Sequence, residues 1–514
     1  MNKLITVFIA FLCLAPFCPA QERDVCPAAM EMDRNRAIWF GSENSAGMIL
    51  TPLTSYESVG ASYDIEQGNW RRYSDGDLKT LNVSAEGASG LGKGRVWGRF
   101  DYNNITAEDT KYNTIFLNMD DDMPFYVADD ILSFWKKQRY DLGMRAATPL
   151  YKGRYAFGVE ASYFSESGAK QIDPRGYGYE YGLTVSPSAL FVFDSHAVGL
   201  ALDYEAGNMR MSNINNALTG SHAVYVMHGL GNYEDYIVSL LSSSSLGLVF
   251  DNKKQYGASL QYSWTGDGTK LLAEVYGKMR NWDISQTPSK PKKIGTASRT
   301  MAGGSVMLTL DRGSFFSKAS VSGEYRGTNG IEYLQKLNKD YSVQAWETVG
   351  KNVKSKYRNM AASLAYDIYR KRGAGYSWTA GASARWNDRN ERYLLPVSEF
   401  MVGNVEGEVH GKKNFIIGGS SLLAGLSAAY TRNLSSAYSY QGAGAESCIV
   451  TDLYPNTLAY MSADRIRVGA NVNWAFSISS KAMMSVKADC SYVKTNDELL
   501  DKRMVSKFAI EFIF

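Results

Sequence analysis

The chain of 514 residues carries 55 basic and 52 acidic side chains, a formal net charge of +3, a balance that excludes a nucleic-acid partner and selects no charged ligand. Mean hydropathy is −0.27, and beyond the N-terminus no apolar run reaches the roughly 18 residues a membrane helix needs, so helical spans are excluded. The 34 Tyr, 10 Trp and 47 Gly set against 12 Pro favour a β protein rich in interfacial aromatics.

At the N-terminus Lys3 precedes the apolar run Leu4 to Ala15, and Cys18-Pro19-Ala20 leads into Gln21-Glu22-Arg23. A basic start, a short apolar core and small residues before the cut read as a secretory signal over 1–20, too short to span a bilayer. Neither Cys13 nor Cys18 follows the small residue that a lipoprotein signal requires, so no lipid anchor is expected. The exported chain then keeps Cys26, Cys448 and Cys490, an odd number that argues against a disulfide framework while leaving room for one bridge. Residues 21–55 are expected as a short periplasmic segment or a hatch inside the lumen of a barrel formed by 56–514.

The barrel expectation rests on alternation in segments of about ten residues, as a membrane strand must face lipid and lumen at period two. Over 153–165, Tyr155, Phe157, Val159, Ala161 and Tyr163 form an outward set against Arg154, Ala156, Gly158, Glu160 and Ser162. Over 375–387 the outward set is Tyr376, Trp378, Ala380, Ala382, Ala384 and Trp386. Over 464–478 it is Ile466, Val468, Ala470, Val472, Trp474 and Phe476, with Arg465 and Arg467 inward. Cys490 is placed on the lipid face. Aromatics sit near both ends of these sets, as two interfacial girdles require.

Short turns are predicted at Gly90 to Gly94, Pro149 to Gly153, Asp194-Ser195, Gly266 to Gly268, Arg312-Gly313, Lys371 to Gly375, Asn433 to Ser435 and Ser479-Ser480. Long connections are predicted at 67–78, 106–137, 167–177, 211–252, 284–297, 329–355, 388–419, 447–462 and 494–502. The sum is an all-β, transmembrane, antiparallel up-and-down barrel of about 18 strands. Sixteen also fits, because 211–252 and 388–419 contain apolar stretches that leave extra strands or loop hairpins open. The last segment, 503–514, puts Phe508, Ile510, Phe512 and Phe514 on one face and is expected to close against the strand near 56–66.

The terminal aromatics Phe512 and Phe514 resemble the C-terminal signal that outer-membrane proteins present to the barrel assembly machinery. With the signal, the short segment Arg36-Ala37-Ile38-Trp39 and the full-length barrel, the chain looks like a family of uncharacterised outer-membrane barrels of the Bacteroidota. That resemblance implies fold and a Gram-negative outer-membrane location, not a substrate. Asn44, Ala46, Gly47 and Met48 are also similar to the Asn-Pro-Ala-Gly-Met hatch element of FadL-like transporters, with Ser45 standing where that family has proline.

No catalytic residue, metal or cofactor is expected. His196, His222, His228 and His410 are the only histidines. His222 and His228 share a loop with Glu234 and Asp235, but no hydrolase or zinc motif accompanies them, and they read as solvated loop residues. Asp120, Asp121, Asp122, Asp129 and Asp130 read as a solvated acidic loop rather than a calcium site, lacking glycine-bearing loop spacing. Trp70-Arg71-Arg72-Tyr73 and Lys290-Pro291-Lys292-Lys293 put cations at the outer rim, where they suit lipopolysaccharide phosphates as well as they suit ordinary loop charge. Arg95, Arg99, Glu160, Glu274, Arg280, Glu324, Arg326, Arg465 and Arg467 are expected to line the lumen, either tuning a watery pore or pairing to fill it.

The leading functional expectation is passive or accessory transport of a small solute or nutrient, without covalent chemistry. The alternative is a closed barrel that recruits a surface protein, lipoprotein or lipopolysaccharide, and an outer-membrane hydrolase ranks third. No plug domain or energy-coupling box is visible in the short N-terminal segment, so a TonB-dependent receptor is an expected partner rather than the identity of the chain.

Overall fold

The computed structural model of the protein describes residues 26–117, 122–212, 220–239, 248–286, 291–338, 345–479 and 482–514. The predicted signal, Asp120, Asp121, Lys290 and Ser480 lie outside the described residues. The wall begins with β1 (Tyr56–Gln67), β2 (Asp77–Leu91) and β3 (Gly94–Thr110). After the two-residue β4 (Val127–Ala128) come β5 (Ser133–Ala147), β6 (Tyr155–Lys170), β7 (Tyr177–Phe193) and β8 (His196–Ser212). A hairpin, β9 (Ser221–Gly229) and β10 (Asn232–Ser239), precedes β11 (Val249–Gly266), β12 (Thr269–Gln286), β13 (Lys292–Arg312) and β14 (Phe315–Asn338). The wall continues through β15 (Ala345–Arg372), β16 (Gly375–Leu394), β17 (Val397–Ile417) and β18 (Ser420–Tyr440). It ends with β19 (Arg465–Ser479), β20 (Ala482–Thr495) and β21 (Lys502–Ile513).

Eighteen of these strands form one antiparallel sheet that closes on itself, while β4, β9 and β10 make a separate three-stranded sheet. The closing pair is β1 with β21, in register from Ser58 opposite Ile513 to Gln67 opposite Met504. Phe514 extends the seam: its N–H donates to Glu57 O at 2.8 Å and its carbonyl accepts the Glu57 N–H at 3.2 Å. Closure removes the unpaired edges that an open sheet would expose.

Alternation decides the two faces. On β11, Tyr256, Leu260, Tyr262 and Trp264 point outward, while Gln255, Ser259, Gln261 and Ser263 are buried on the lumen side. Tyr155, Phe157 and Tyr163 on β6, and Ile466, Val468, Val472 and Trp474 on β19, are exposed on the outer face as their pattern predicts. Cys490, on β20, shares that outer parity with Tyr492 and lies opposite Ser506 on β21.

The predicted outward position of Tyr376 is overturned. β15 and β16 pair Arg370 with Trp378 but Lys371 with Tyr376, so Ser377 is an extra residue that reverses the parity below it. Tyr376 therefore turns inward and is fully buried, and its hydroxyl donates to Glu31 at 2.6 Å. The predicted turn at Asn433 to Ser435 is also wrong. It is a β-bulge inside β18, where Asn404 faces Asn433, Gly403 faces Ser435, and Leu434 is the extra residue. The actual turn is Gly418-Gly419, both in the left-handed region that glycine accepts without strain. The predicted loop 388–419 is thus the end of β16, a two-residue connection at Leu395-Pro396, and β17. One strand was displaced rather than gained, which is why the count of 18 still holds.

Both mouths of the barrel are filled by the chain itself. At the short-turn end, which the topology of such barrels makes periplasmic, residues 26–55 lie inside the wall. They form α1 (Pro27–Arg36), opened by proline in its first turn, and two 3-10 turns, Ile38–Gly41 and Ser45–Ile49. At the long-loop end, the β4–β9–β10 sheet packs with α2 (Tyr454–Ser462) and the turn before it into one apolar core. That core includes Phe125, Tyr126, Val226, Leu230, Ile449 and Tyr454 from the loops, and Trp135, Trp282, Tyr357 and Phe400 from the wall.

Candidate functional site

The candidate site is the lumen together with its two closures, and the periplasmic closure is held by small apolar clusters, Trp39 and Ile38 against Leu190 and Leu272 and Met32 against Phe316 and Leu423, and by polar bonds to the wall. Lys412 donates to Glu31 at 2.9 Å, and Arg36 and Asp311 lie 3.0 Å apart. Lys278 and Glu43 lie 2.7 Å apart, and Arg34 and Glu86 2.5 Å apart. Each pair keeps part of its surface in water, so each contributes roughly 0–1 kcal/mol.

Beyond α1 the path of the hatch is set by close backbone approach. Asn44 Nδ2 donates to Gln261 Oε1 at 2.9 Å and to the Ala189 carbonyl at 3.0 Å, and the Ala46 N–H donates to Ser188 Oγ at 3.1 Å. Gly47 lies directly against the Trp39 indole and Gly158 of β6 against the backbone of Ala46, so a Cβ at either glycine would overlap its neighbour. Met48 is buried at the rim of a small cavity that Phe40, Trp97 and Arg95 also line.

The predicted lumen residues all lie on the inner wall, and most are engaged by near neighbours. Arg99 makes two bonds to Asp101, at 2.5 and 3.0 Å. Glu160 takes Arg145 at 2.9 Å, and Arg145 also donates to the Phe40 carbonyl of the hatch at 2.6 Å. Glu274 accepts the Glu43 N–H and Gln261 Nε2, both at 3.0 Å. Arg280 reaches Glu205 at 2.6 Å and Gln255 at 2.7 Å. Glu324 accepts from Arg326 at 3.0 Å and from the Tyr276 hydroxyl at 2.6 Å. Arg467 bridges Glu406 and Glu408 at 3.2 and 2.8 Å, and Arg465 lies over the Trp70 ring. The opposite charges pair along one strand, as Arg99 with Asp101, between adjacent strands, as Arg145 with Glu160, or across an intervening strand, as Arg280 with Glu205 and Arg467 with Glu406. Phe512 and Phe514 sit on the outer face, 39% and 46% exposed.

In the outer closure two carboxylates of the acidic loop, Asp122 and Asp129, are buried rather than solvated as predicted. Asp129 is sealed against Lys170, and Asp122, 3% exposed, faces Arg326 at 3.3 Å and accepts from Asn359 at 2.6 Å. Wall cations draw these carboxylates inside. The predicted rim cations are engaged too: Arg72 pairs with Asp75 at 3.0 Å, Trp70 stacks on Tyr460, and Lys292 reaches Glu234 at 3.1 Å. Asp452 collects Lys111, Tyr112 and Tyr73 at 2.8 to 2.9 Å. Burial pushes its pKa up, yet those hydrogen bonds outweigh burial and hold the carboxyl below its ordinary value.

His228 is likewise not a solvated loop residue. It sits on β9, edge-on to Phe125, and burial pushes its pKa down. Around it lies a polar seam between the β9–β10 hairpin and the wall of β12 to β14, lined by Glu234, Gln286, Lys292, Glu332 and Gln335. The hairpin had a legible signal, the Gly229-Leu230-Gly231-Asn232 turn between two alternating runs. Another feature missed in the sequence is a bond between His410 Nε2 and Asp367 Oδ1 at 2.8 Å, made by residues 43 positions apart. Among the described residues no group of three or more His, Cys, Asp or Glu is arranged to hold a metal ion.

The barrel is similar to solved outer-membrane transporters. It matches the copper transporter OprC with a TM-score of 0.42 at 10% identity, over 89% of this chain and 80% of that one. For the FrpB iron transporter from Neisseria meningitidis the TM-score is 0.40 at 9% identity, over 91% and 83%. For Acinetobacter baumannii OccAB2 it is 0.35 at 7% identity, over 90% and 97%. These likenesses are of barrel to barrel and extend no further. No curated protein matches the sequence. A model of the family of unknown function DUF6850 matches residues 45–514, and the chain belongs to that family.

Proposed function

We propose that the protein is an outer-membrane conduit for a small solute, closed at rest, with the N-terminal hatch as its movable gate. The observation that carries this reading is the difference between the two closures. The outer one is a single large apolar core in which each large side chain contributes about 1.5–3 kcal/mol on burial, whereas the hatch combines smaller apolar clusters around Trp39 and Met32 with partly exposed ion pairs that salt can screen. On this reading the periplasmic end yields first, and the polar seam beside β9–β10 is the outer entry. The finer expectations fit here as well: a signal over 1–20, lipopolysaccharide around the outer wall, and delivery of β21 to the barrel assembly machinery. Origin in the Bacteroidota, a FadL-like ancestry of the hatch and service to a TonB-dependent receptor belong to the same proposal.

Single-channel recording in planar bilayers tests it. The intact chain is expected to be almost silent, and the triple variant Glu31→Gln, Arg36→Gln, Glu43→Gln to open frequently, as is the intact chain at high salt, which screens the same pairs. Silence from a folded, heat-modifiable variant at every salt concentration would end the conduit reading. That outcome would favour the second reading, a closed barrel whose loops recruit a surface lipoprotein or another partner. The apolar outer closure is the feature that supports it.

A further inference from the structure

The outer face of the wall carries a patch of positive charge where it leaves the lipid-facing band. On β15 the buried, inward Tyr357 and Tyr369 fix the parity, so Lys356, Arg358 and Arg370 point outward with the exposed Leu364 and Tyr366. Between Arg358 and Arg370 every outward position is uncharged: Met360, Ala362, Leu364, Tyr366 and Ile368. That stretch covers roughly 40 Å of strand, which at a tilt of about 40° is about 30 Å of height, the thickness of a bilayer's hydrocarbon. Arg370 lies beside the short turn at Gly373, so Arg358 and Lys356 stand at the other, outer edge of the band, at the depth of lipid headgroups.

Cross-strand register brings the cations together. Lys356 is directly opposite Arg392 of β16, and Arg358 follows on the same face. Facing residues have Cβ atoms roughly 5 Å apart and their diagonal neighbours roughly 7 Å, so these long side chains reach one common anion, and without it they repel. Arg358 meets Asp388 at 3.3 Å and Arg392 meets Glu399 at 3.1 Å, with both carboxylates on the β16–β17 side. Among the described residues Lys356 makes no ion pair. On its β14 side the neighbours are neutral donors: Asn329 faces Lys356 and Ser298 of β13 faces Asn329. Gly327 faces Arg358 and places no side chain beside it, and the hydroxyl of Tyr325 lies over that gap. We infer that this patch binds the phosphate of an outer-leaflet glycolipid, with Lys356 and Arg358 as its cations and Asn329 and Tyr325 as donors beside them. The lipid-facing band directly below, with Leu364 and Val321 exposed, takes the acyl chains of the same molecule, which a free phosphate lacks. The inference rests on the proposed outer-membrane setting and gives its lipid a place, whereas Arg72 and Lys292, the rim cations that the sequence puts forward, are paired within the protein.

The test is native mass spectrometry of the full chain released from detergent micelles, titrated with phosphorylated lipid A, with the same lipid after phosphatase treatment, and with inorganic phosphate. The phosphorylated lipid is expected to stay bound, and the stripped lipid to bind about tenfold or more weakly, the scale of a headgroup held by two cations. The double variant Lys356→Gln, Arg358→Gln is expected to lose affinity for the phosphorylated lipid by about the same factor. Lys254→Gln, which removes an outward cation from β11 elsewhere on the rim, is expected to leave it unchanged. All these side chains are on the outer face, so both variants should remain heat-modifiable barrels. Equal binding of the two lipids overturns the assignment, as does unchanged affinity in the double variant or an equal loss in Lys254→Gln. Displacement of the lipid by inorganic phosphate at comparable concentration would make this a site for the free anion and overturn the lipid. Binding is read without current, so its failure leaves the conduit reading standing, and a silent channel leaves this site standing.

Discussion

The ammonium of Lys170, on the last position of β6, donates to both carboxylate oxygens of Asp129 at 2.5 and 2.6 Å, and the two side chains are 1% and 0% exposed. The same carboxylate accepts from Thr114 Oγ1 at 2.6 Å and from the Ile131 N–H at 3.1 Å. This pair ties the loop that carries β4 to the wall.

Removing one member should be far worse than removing both. Lys170→Met leaves a buried carboxylate without its cation and is expected to destabilise the outer closure by about 3–5 kcal/mol. The double variant Lys170→Met, Asp129→Leu should recover most of that loss. Limited proteolysis of the 111–132 loop and denaturant titration of the folded protein read both. Equal damage from the single and double variants would show that the pair is not what anchors the loop.

Gly47 is the position where the hatch has least room. A methyl group there must displace the Trp39 indole, and Gly47→Ala is expected to cost about 1–3 kcal/mol of hatch packing while leaving the wall intact. Thiol labelling of Ala46→Cys, compared with and without Gly47→Ala, should show the hatch leaving its seat more often, with unchanged heat-modifiability of the barrel. Labelling at an unchanged rate would mean that Trp39 moves aside at no cost.

Asp452 gives the outer closure an acid-sensitive contact. Its folded pKa lies below its unfolded value of about 3.9, so its contribution is complete above that value and is lost as pH falls through the lower folded pKa. The wild-type closure is expected to weaken only in that acid window. Asp452→Asn should be less stable at neutral pH and show a flatter acid limb, measured by proteolysis of the 441–464 segment across pH. An unchanged acid limb would remove Asp452 as its source.

Phe514 makes its seam bonds through the backbone, so Phe514→Ala should keep the closed barrel once formed. What it should lose is yield in the outer membrane of growing cells, because its side chain lies on the outer face and is available for recognition during assembly. Refolding into micelles from urea should proceed for both proteins. A variant that also fails in micelles would assign the ring to stability instead.

The strands were legible in the sequence because their pattern is local: five outward and five inward positions over 153–165 need no partner to be read. Bulges were not. Ser377 and Leu434 are extra residues only by comparison with the neighbouring strand, so the inward turn of Tyr376 and the true turn at Gly418-Gly419 become visible only once strands are paired. The site was legible as a set of inward positions but not as contacts. Arg280 meets Glu205 across 75 residues and Asn44 meets Gln261 across 217, distances at which no spacing rule operates. His228 misled for a related reason, since a histidine in a long polar connection reads as solvated until the connection folds back into the barrel.

The outer core also sets an order of events. Its loop residues come from three stretches far apart in the chain, 111–132, 220–239 and 441–464, each suspended between a different pair of wall strands. Tyr454 packs on Phe400 of nearby β17 but also reaches Tyr126, 328 residues earlier in the chain, so its full burial requires both halves of the wall to be in place. Water leaves the outer mouth only after nearly the whole chain has arrived.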